Sequence, residues 1–119
     1  MLPLEKVKVL SFGTGGVVPD AGKILGELGA DVIKIESKDN LDFMRTIGPD
    51  INNIAGFNEA NRNKRSFGVN LKTEKGKKLV SKLIQRTDIL LENFRGGVMK
   101  SLGFDYESAR KLNPQIIYV

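Results

Sequence analysis

Three short stretches of this 119-residue sequence have the residue types that could bind a phosphate-bearing ligand. The first is the glycine-rich stretch GTGG at residues 13–16, between a predicted strand and a predicted helix. Backbone N–H groups and the positive end of a helix can receive an anion at such a place. Glycines that merely form a tight turn explain the stretch equally well. The dinucleotide-binding fingerprint would need glycine at Val18, although Glu36 is placed like the acid that binds ribose in NAD enzymes. Spacing alone therefore leaves the NAD reading open.

The second stretch is basic and rich in amides. Residues 61–66 read NRNKRS, and Lys72 follows one strand-length later. Lysine supplies a point charge and arginine a planar fork, so Arg62, Lys64 and Arg65 together could hold a multiply charged phosphate group. The alternative is that these side chains lie at a solvated strand edge. The lysines within residues 75–82 are likewise interpreted as the solvated face of a helix.

The third stretch, ENFRGG at residues 92–97, follows a predicted buried strand. Open parallel sheets bind ligands at the carboxyl ends of their strands. Phe94 could cover an adenine ring, and Asn93 could hydrogen-bond a ligand amide or base edge. A buried aromatic side chain in an ordinary turn is the competing explanation.

Composition excludes several kinds of chemistry. With no cysteine and no histidine, the chain has no disulfides, no imidazole relay and none of the usual zinc ligands, so we predict no metal site. No pair of carboxylates stands out as catalytic, and Asp20 fits a charge at a helix start, so we assign no catalytic residue. The net charge of +5 favours phosphate-bearing partners. It also raises nucleic acid as a partner, but only Phe67 lies near the basic stretch, which argues against a base-stacking platform.

Strands and helices alternate along the chain, which predicts one α/β domain, a Rossmann-like open parallel sheet built from β-α-β units. The hydrophobic pattern predicts strands at 6–12, 31–35, 66–71, 88–92 and 115–119, and helices at 21–28, 74–86 and 105–112. Thr73 and Asp105 are predicted helix caps, and residues 36–60 are predicted to form a long functional loop. Apolar runs too short for a membrane span and no secretory signal predict a cytoplasmic protein without a membrane partner. The end of the chain inside an apolar strand predicts a fragment of a longer protein.

Taken together and in order, these stretches resemble the amino-terminal part of the family III CoA-transferases of the CaiB/BaiF type, the group that includes formyl-CoA transferase, carnitine CoA-transferase and α-methylacyl-CoA racemase. The resemblance covers nearly the whole chain. Its most specific segments are LGELGADVIKIE (25–36), NRNKRSFGVNLKTEKGK (61–77), DILLENFRGGVMKSLGFDYE (88–107) and LNPQIIYV (112–119).

The resemblance implies that residues 1–119 are the amino-terminal portion of a CoA-binding large domain within an interlocked homodimer or heteromer. It implies an enzyme, a transferase or a racemase relative, that acts on acyl-CoA and carboxylic acids through an attacking aspartate. That aspartate would lie beyond Val119, so the fragment alone is expected to be inactive. Neither nucleic acid nor metal is implied. Carried over by position, the CoA contacts are Gly16, Val17, Val69, Asn70, Leu71, Lys72, Asn93, Phe94 and Arg95.

The sequence also departs from the family pattern. Ser37 stands where formyl-CoA transferase-like members place an arginine on the nucleotide, so Lys38 or another cation must replace it. Ser101 likewise replaces a basic contact, with Lys100 beside it. Asp20 stands where many members have a small residue, and the segments GTGGVVPDAG and AGFNEANRNKRSFGVNLK are most similar to members acting on aromatic succinates.

Overall fold

The computed structural model describes all of residues 1–119 and contains a five-stranded, all-parallel sheet. The sheet order is β3-β2-β1-β4-β5. The strands are β1 (Lys8–Ser11), β2 (Asp31–Glu36), β3 (Lys64–Gly68), β4 (Ile89–Leu91) and β5 (Ile117–Tyr118). The α-helices are α1 (Val17–Glu27), α2 (Ala55–Ala60), α3 (Glu74–Ile84), α4 (Val98–Leu102) and α5 (Tyr106–Leu112), and Phe43–Thr46 form one 3-10 turn. The predicted α/β fold is confirmed.

Helices cover both faces of the sheet. On one face, Leu10 and Leu90 pack with Val80 and Ile84 of α3 and Ala109 of α5. On the other face, a smaller cluster joins the strands to Val18 of α1. Strands buried on both faces read as short apolar runs, which is why the sequence pattern identified them.

Local signals explain where several helices begin and end. Gly29 ends α1 with a φ of +104°, as its position after the apolar pattern predicts. The hydroxyl of Thr73 accepts a hydrogen bond from the Gly76 N–H, which confirms the predicted cap of α3. Asp105 occupies the N-cap position of α5, but its carboxylate accepts from the Ser108 hydroxyl rather than from a backbone N–H.

The bounds of α1 and β3 differ from the predictions, and α4 was missed. α1 begins four residues before position 21, because Pro19 lies in its first turn, where the missing N–H costs no helical hydrogen bond. β3 begins at Lys64 and ends at Gly68, because its pairing with β2 fixes the register. α4 was not predicted; it is one short helix between Gly97 and Gly103, both with positive φ.

The predicted loop of residues 36–60 is not structureless. It contains the 3-10 turn and α2, and α2 buries Phe57 and Ala60. Polar residues around these apolar positions concealed the helical pattern. None of the helices combines the length and the apolar character that a membrane crossing requires.

Candidate functional site

The sheet order creates a topological switch point between β1 and β4. The chain leaves β1 toward β2 on one side, whereas β4 lies on the other side of β1. Open α/β sheets bind ligands in the crevice beyond such a point. Here Asn93, just after β4, accepts a hydrogen bond from the Thr14 N–H and donates one to the Thr14 carbonyl, both at 2.9 Å. The first and third predicted stretches therefore meet at the carboxyl edge.

Two adjoining cavities lie at this edge. One has a volume of about 270 Å³ and reaches Gly13, Thr14, Asp42 and Phe43. The other, of about 130 Å³, is bounded by β2, by α4 and by the turn after β3. They share the lining residues Phe12, Ile35, Glu36, Asn40 and Phe94. We call these two cavities together the crevice.

Several predicted contacts lie in the crevice wall. Asn70, Leu71, Lys72 and Phe94 all line its smaller cavity. The Val69 side chain is instead buried in the core, and its N–H donates to the Glu36 carbonyl. Val69 therefore does not present its side chain to a ligand.

The glycine turn is largely occupied by protein groups. The N–H groups of Gly13, Thr14 and Gly15 donate to Ser11, Asn93 and Asp42 respectively. The N–H groups of Gly16 and Val17 have no acceptor within the protein, and both residues are exposed at the start of α1. Of the amides at residues 13–16 that were predicted to bind an anion, only that of Gly16 is available. The amide of its neighbour Val17 is available as well.

A buried ion pair lies beneath the turn. Lys34 Nζ is 2.7 Å from Asp42 Oδ2, and the two side chains are only 2% and 0% exposed. Burial by itself would raise the pKa of Asp42, but the hydrogen bond from Lys34, the N–H groups of Gly15 and Met44, and the charge of Lys34 together lower that pKa below its usual value. Asp42 is therefore a carboxylate in the folded protein.

Glu36 is committed to a second internal pair. Arg45 Nε lies 2.9 Å from Glu36 Oε2, and Arg45 Nη2 lies 3.0 Å from Oε1. The Asp42 N–H also donates to Glu36, and the Arg45 guanidinium stacks on Phe57 with 3.7 Å between Cζ and the ring centroid. Glu36 is consequently not free to act as the ribose acceptor of an NAD site.

The structure pairs the arginines of the basic stretch with carboxylates, away from the crevice. Arg62 pairs with Glu27 and Glu59, and Arg65 pairs with Asp31. Lys64 and Arg65 start β3, about 13 Å and about 10 Å along the strand from its carboxyl end at a rise of about 3.3 Å per residue.

Lys64 has a structural role between two helices. Its Nζ donates to the carbonyls of Pro19 and Ala60 and to Asn61 Oδ1. Burial, together with the nearby charge of Lys34, lowers the pKa of Lys64 to about 8. Lys64 therefore joins the first turn of α1 to the end of α2 and does not reach the crevice as a free cation.

Cations without a carboxylate partner remain at the carboxyl edge. Lys72 lines the crevice, and Lys38 lines the adjoining surface beside Val69 and Asn70. Arg95 and Lys100, which follow β4, are also exposed and form no salt bridge. This edge therefore combines an apolar floor with exposed positive charges at its rim.

Sequence reasoning missed Lys34, Asp42 and Arg45. The available signal for Lys34 was a charge in the middle of the apolar strand DVIKIE, which requires a buried partner. No comparable signal marked Asp42 or Arg45, because their partners become neighbours only after the loop folds onto the sheet.

Comparison with known proteins decides the family. The sequence model of CoA-transferase family III matches residues 4–119. The chain belongs to CoA-transferase family III. A CaiB/BaiF family protein from Brucella suis has a similar structure, with a TM-score of 0.90 and 39% identity over 98% of this chain. The hypothetical protein Rv3272 from Mycobacterium tuberculosis has a TM-score of 0.88 and 37% identity over 99% of the chain.

Relatives of known activity are similar over the same range. This family III chain is 38% identical to succinate–glutarate CoA-transferase from Agrobacterium fabrum and 41% identical to formyl-CoA:oxalate CoA-transferase from Escherichia coli, over 98% of its length in both cases. It spans only 31% and 28% of those proteins, and 32% and 33% of the two structures. The chain therefore corresponds to roughly the first third of a family III enzyme.

Proposed function

We propose that this chain is the amino-terminal CoA-binding part of an enzyme that transfers CoA between a thioester and a carboxylic acid. The observation that carries the proposal is the crevice at the β1/β4 switch point, where Lys72, Phe94 and Leu71 lie together. An adenosine phosphate tail needs an apolar surface for the base and cations for the phosphates. The crevice supplies both.

Each part of the crevice has a proposed role. Phe94 and Leu71 supply apolar surface for the adenine or pantetheine. Lys72 binds a phosphate group, and Lys38 serves in place of the arginine that is absent at Ser37. The unbonded N–H groups at the start of α1 donate hydrogen bonds to a further anionic or carbonyl oxygen, supported by the helix dipole. In this proposal Asn93 contributes through the turn that it holds and through its backbone, because its side-chain amide is bonded to Thr14.

The activity of the whole enzyme is a further proposal. The attacking aspartate lies beyond Val119, in an interlocked homodimer or heteromer, so residues 1–119 bind CoA without turnover. We propose an aromatic succinate as the carboxylic acid, on the similarity of the GTGGVVPDAG and AGFNEANRNKRSFGVNLK segments. The full-length protein should transfer CoA to such an acid faster than to oxalate, and the opposite preference would reject this substrate class.

Two observations argue against the rival functions. An NAD site would need a free acid after β2, and Glu36 is held by Arg45. A nucleic-acid interface would need the basic stretch free, and Arg62 and Arg65 are bonded to carboxylates.

Isothermal titration of CoA into the folded chain tests the proposed function. We expect saturable binding that Lys72→Ala weakens about tenfold, the scale of one charge-assisted hydrogen bond. Lys78→Ala is the matched control, because Lys78 is an exposed lysine on α3 outside the crevice. Binding of NADH but not CoA, or equal losses from both substitutions, would reject the proposal.

A further inference from the structure

The glycine turn is held by both ends of one buried ion pair. Lys34 Nζ donates to the Gly13 carbonyl at 2.6 Å, and the same atom lies 2.7 Å from Asp42 Oδ2. The other carboxylate oxygen, Asp42 Oδ1, accepts from the Gly15 N–H at 3.0 Å and from the Thr14 hydroxyl at 3.3 Å. Three consecutive residues of the turn are therefore bound to one pair of charges.

The same carboxylate attaches the loop that covers the turn. Asp42 Oδ1 accepts the Met44 N–H, which caps the 3-10 turn of Phe43–Thr46. The Phe43 N–H in turn donates to the Thr14 hydroxyl. The loop and the turn consequently share one anchor, and movement of the anchor would move both.

Burial makes this arrangement interdependent. A carboxylate with no exposed surface stays charged only if a cation and hydrogen-bond donors compensate for the lost water. No buried side-chain nitrogen or oxygen in the protein lacks a hydrogen-bond partner. Since Lys34 and the turn supply that compensation, the position of Asp42 and the shape of residues 13–15 determine each other.

We propose that Asp42 is a positioning residue for the CoA ligand. It holds Thr14 and Gly15 so that the next two residues, Gly16 and Val17, begin α1 with their N–H groups unbonded at the carboxyl edge. This inference rests on the proposed function, because it assigns a ligand to those amides. Asp42 does not touch the ligand in this role; it acts through the glycine turn.

Two substitutions separate positioning from a purely structural role. Asp42→Ala removes every acceptor, so we expect faster hydrogen exchange at the Gly15 amide and about tenfold weaker CoA binding by the folded chain. Asp42→Asn retains an oxygen acceptor and should restore slow exchange at Gly15, with CoA binding between those of the parent and the alanine variant. The matched control is Asp31→Ala, which removes an exposed ion pair at the amino end of the sheet.

The measurements are NMR-detected exchange of the Gly15 amide and calorimetric titration of CoA, at concentrations where circular dichroism shows each variant folded. A CoA affinity in Asp42→Ala equal to that in Asp31→Ala overturns the positioning role and leaves the proposed function intact. No CoA binding by the unaltered chain overturns both. If the alanine variant does not fold, Asp42→Asn decides alone: CoA binding three- to tenfold weaker than in the parent supports the role, and unchanged binding overturns it.

Discussion

Asn93 and Thr14 lie 79 residues apart in sequence and are joined by a reciprocal pair of hydrogen bonds across the mouth of the crevice. The side-chain amide of Asn93 forms hydrogen bonds with both the N–H and the carbonyl of Thr14, as the backbone of a neighbouring strand would. The strands β1 and β4 end at Ser11 and Leu91, shortly before these residues. This pair therefore continues their alignment one step beyond the sheet.

The Asn93 bridge should stabilise the fold as well as the crevice. Asn93→Ala removes both hydrogen bonds, and we expect the free energy of unfolding to fall by about 1–2 kcal/mol in urea titrations. Asn93→Asp keeps the acceptor for the Thr14 N–H but places a carboxylate oxygen against the Thr14 carbonyl, so it should not restore the stability of the parent. Asn58→Ala is the control, because Asn58 is exposed on α2 and its side chain makes no hydrogen bond. A loss from Asn58→Ala as large as that from Asn93→Ala would contradict the bridge.

Replacement of the buried Lys34 should strongly destabilise the folded protein. Lys34→Met leaves the Asp42 carboxylate buried without a cation, and breaking such a pair costs about 3–5 kcal/mol. Equilibrium unfolding at pH 8 measures this loss. Lys78→Met, an equivalent change at an exposed position, should alter stability by less than about 0.5 kcal/mol.

The stability that Lys34→Met loses relative to the parent, its deficit, should also depend on pH. In the parent, the lowered pKa of Asp42 contributes stability above its unfolded pKa, and this is lost as pH falls through the folded value. Without Lys34, burial raises that pKa instead, so stability should recover as pH falls and the buried carboxylate takes up a proton. The deficit at pH 5 should be smaller than at pH 8. Equal deficits at both pH values would show that Asp42 is not charged in the variant.

The stability of the protein should increase from neutral pH to mild alkali because of Lys64. Its pKa is about 8 in the folded chain, against 10.5 ordinarily, so between these values the unfolded state binds more protons than the folded state. Stability attributable to Lys64 therefore rises with pH across this window. Thermal unfolding between pH 7.5 and 9.5 should show the rise in the parent and in Lys82→Met, and its absence in Lys64→Met. Identical slopes in all three would contradict the burial of Lys64.

Gly76 should resist even the smallest substitution. Alanine usually favours a helix over glycine by about 1 kcal/mol. At position 76, however, a Cβ would lie 2.0 Å from the Asn70 carbonyl oxygen, so Gly76→Ala must displace the turn that precedes α3. We expect a net destabilisation of about 1–3 kcal/mol in chemical denaturation, because backbone cannot move as freely as a side chain. Gly68→Ala, with open space around its Cβ, should be close to neutral.

The alternation of strands and helices was accessible from sequence because it depends on local patterns. The apolar runs of β1, β2 and β4, the glycine after α1 and the cap at Thr73 all act within a few residues. The carboxyl-edge location of Phe94 followed from the strand-then-turn order, whereas Lys72 was placed in the ligand site by the family resemblance.

Interactions between distant residues could not be predicted in the same way. The pairing of Arg62 with Glu27 and of Arg65 with Asp31 was not predicted, because these partners lie more than 30 positions earlier. The turn of Phe43–Thr46 is stabilised through Arg45, whose partner Glu36 is on the sheet. Neither relationship leaves a mark in a linear pattern of charge and hydrophobicity.

The commitment of Arg45 to Glu36, Ile51 and Asn52 has a consequence for how this edge attracts an anion. The Arg45 guanidinium is therefore not available to an incoming anion, and attraction falls to exposed, unpaired side chains such as those of Lys38, Lys72 and Arg95. Such groups act as a diffuse field that salt screens within a Debye length of about 8 Å at physiological ionic strength. Binding of the charged phosphate groups should therefore weaken with added salt. The contact between the aromatic floor of the crevice and a neutral ring should not.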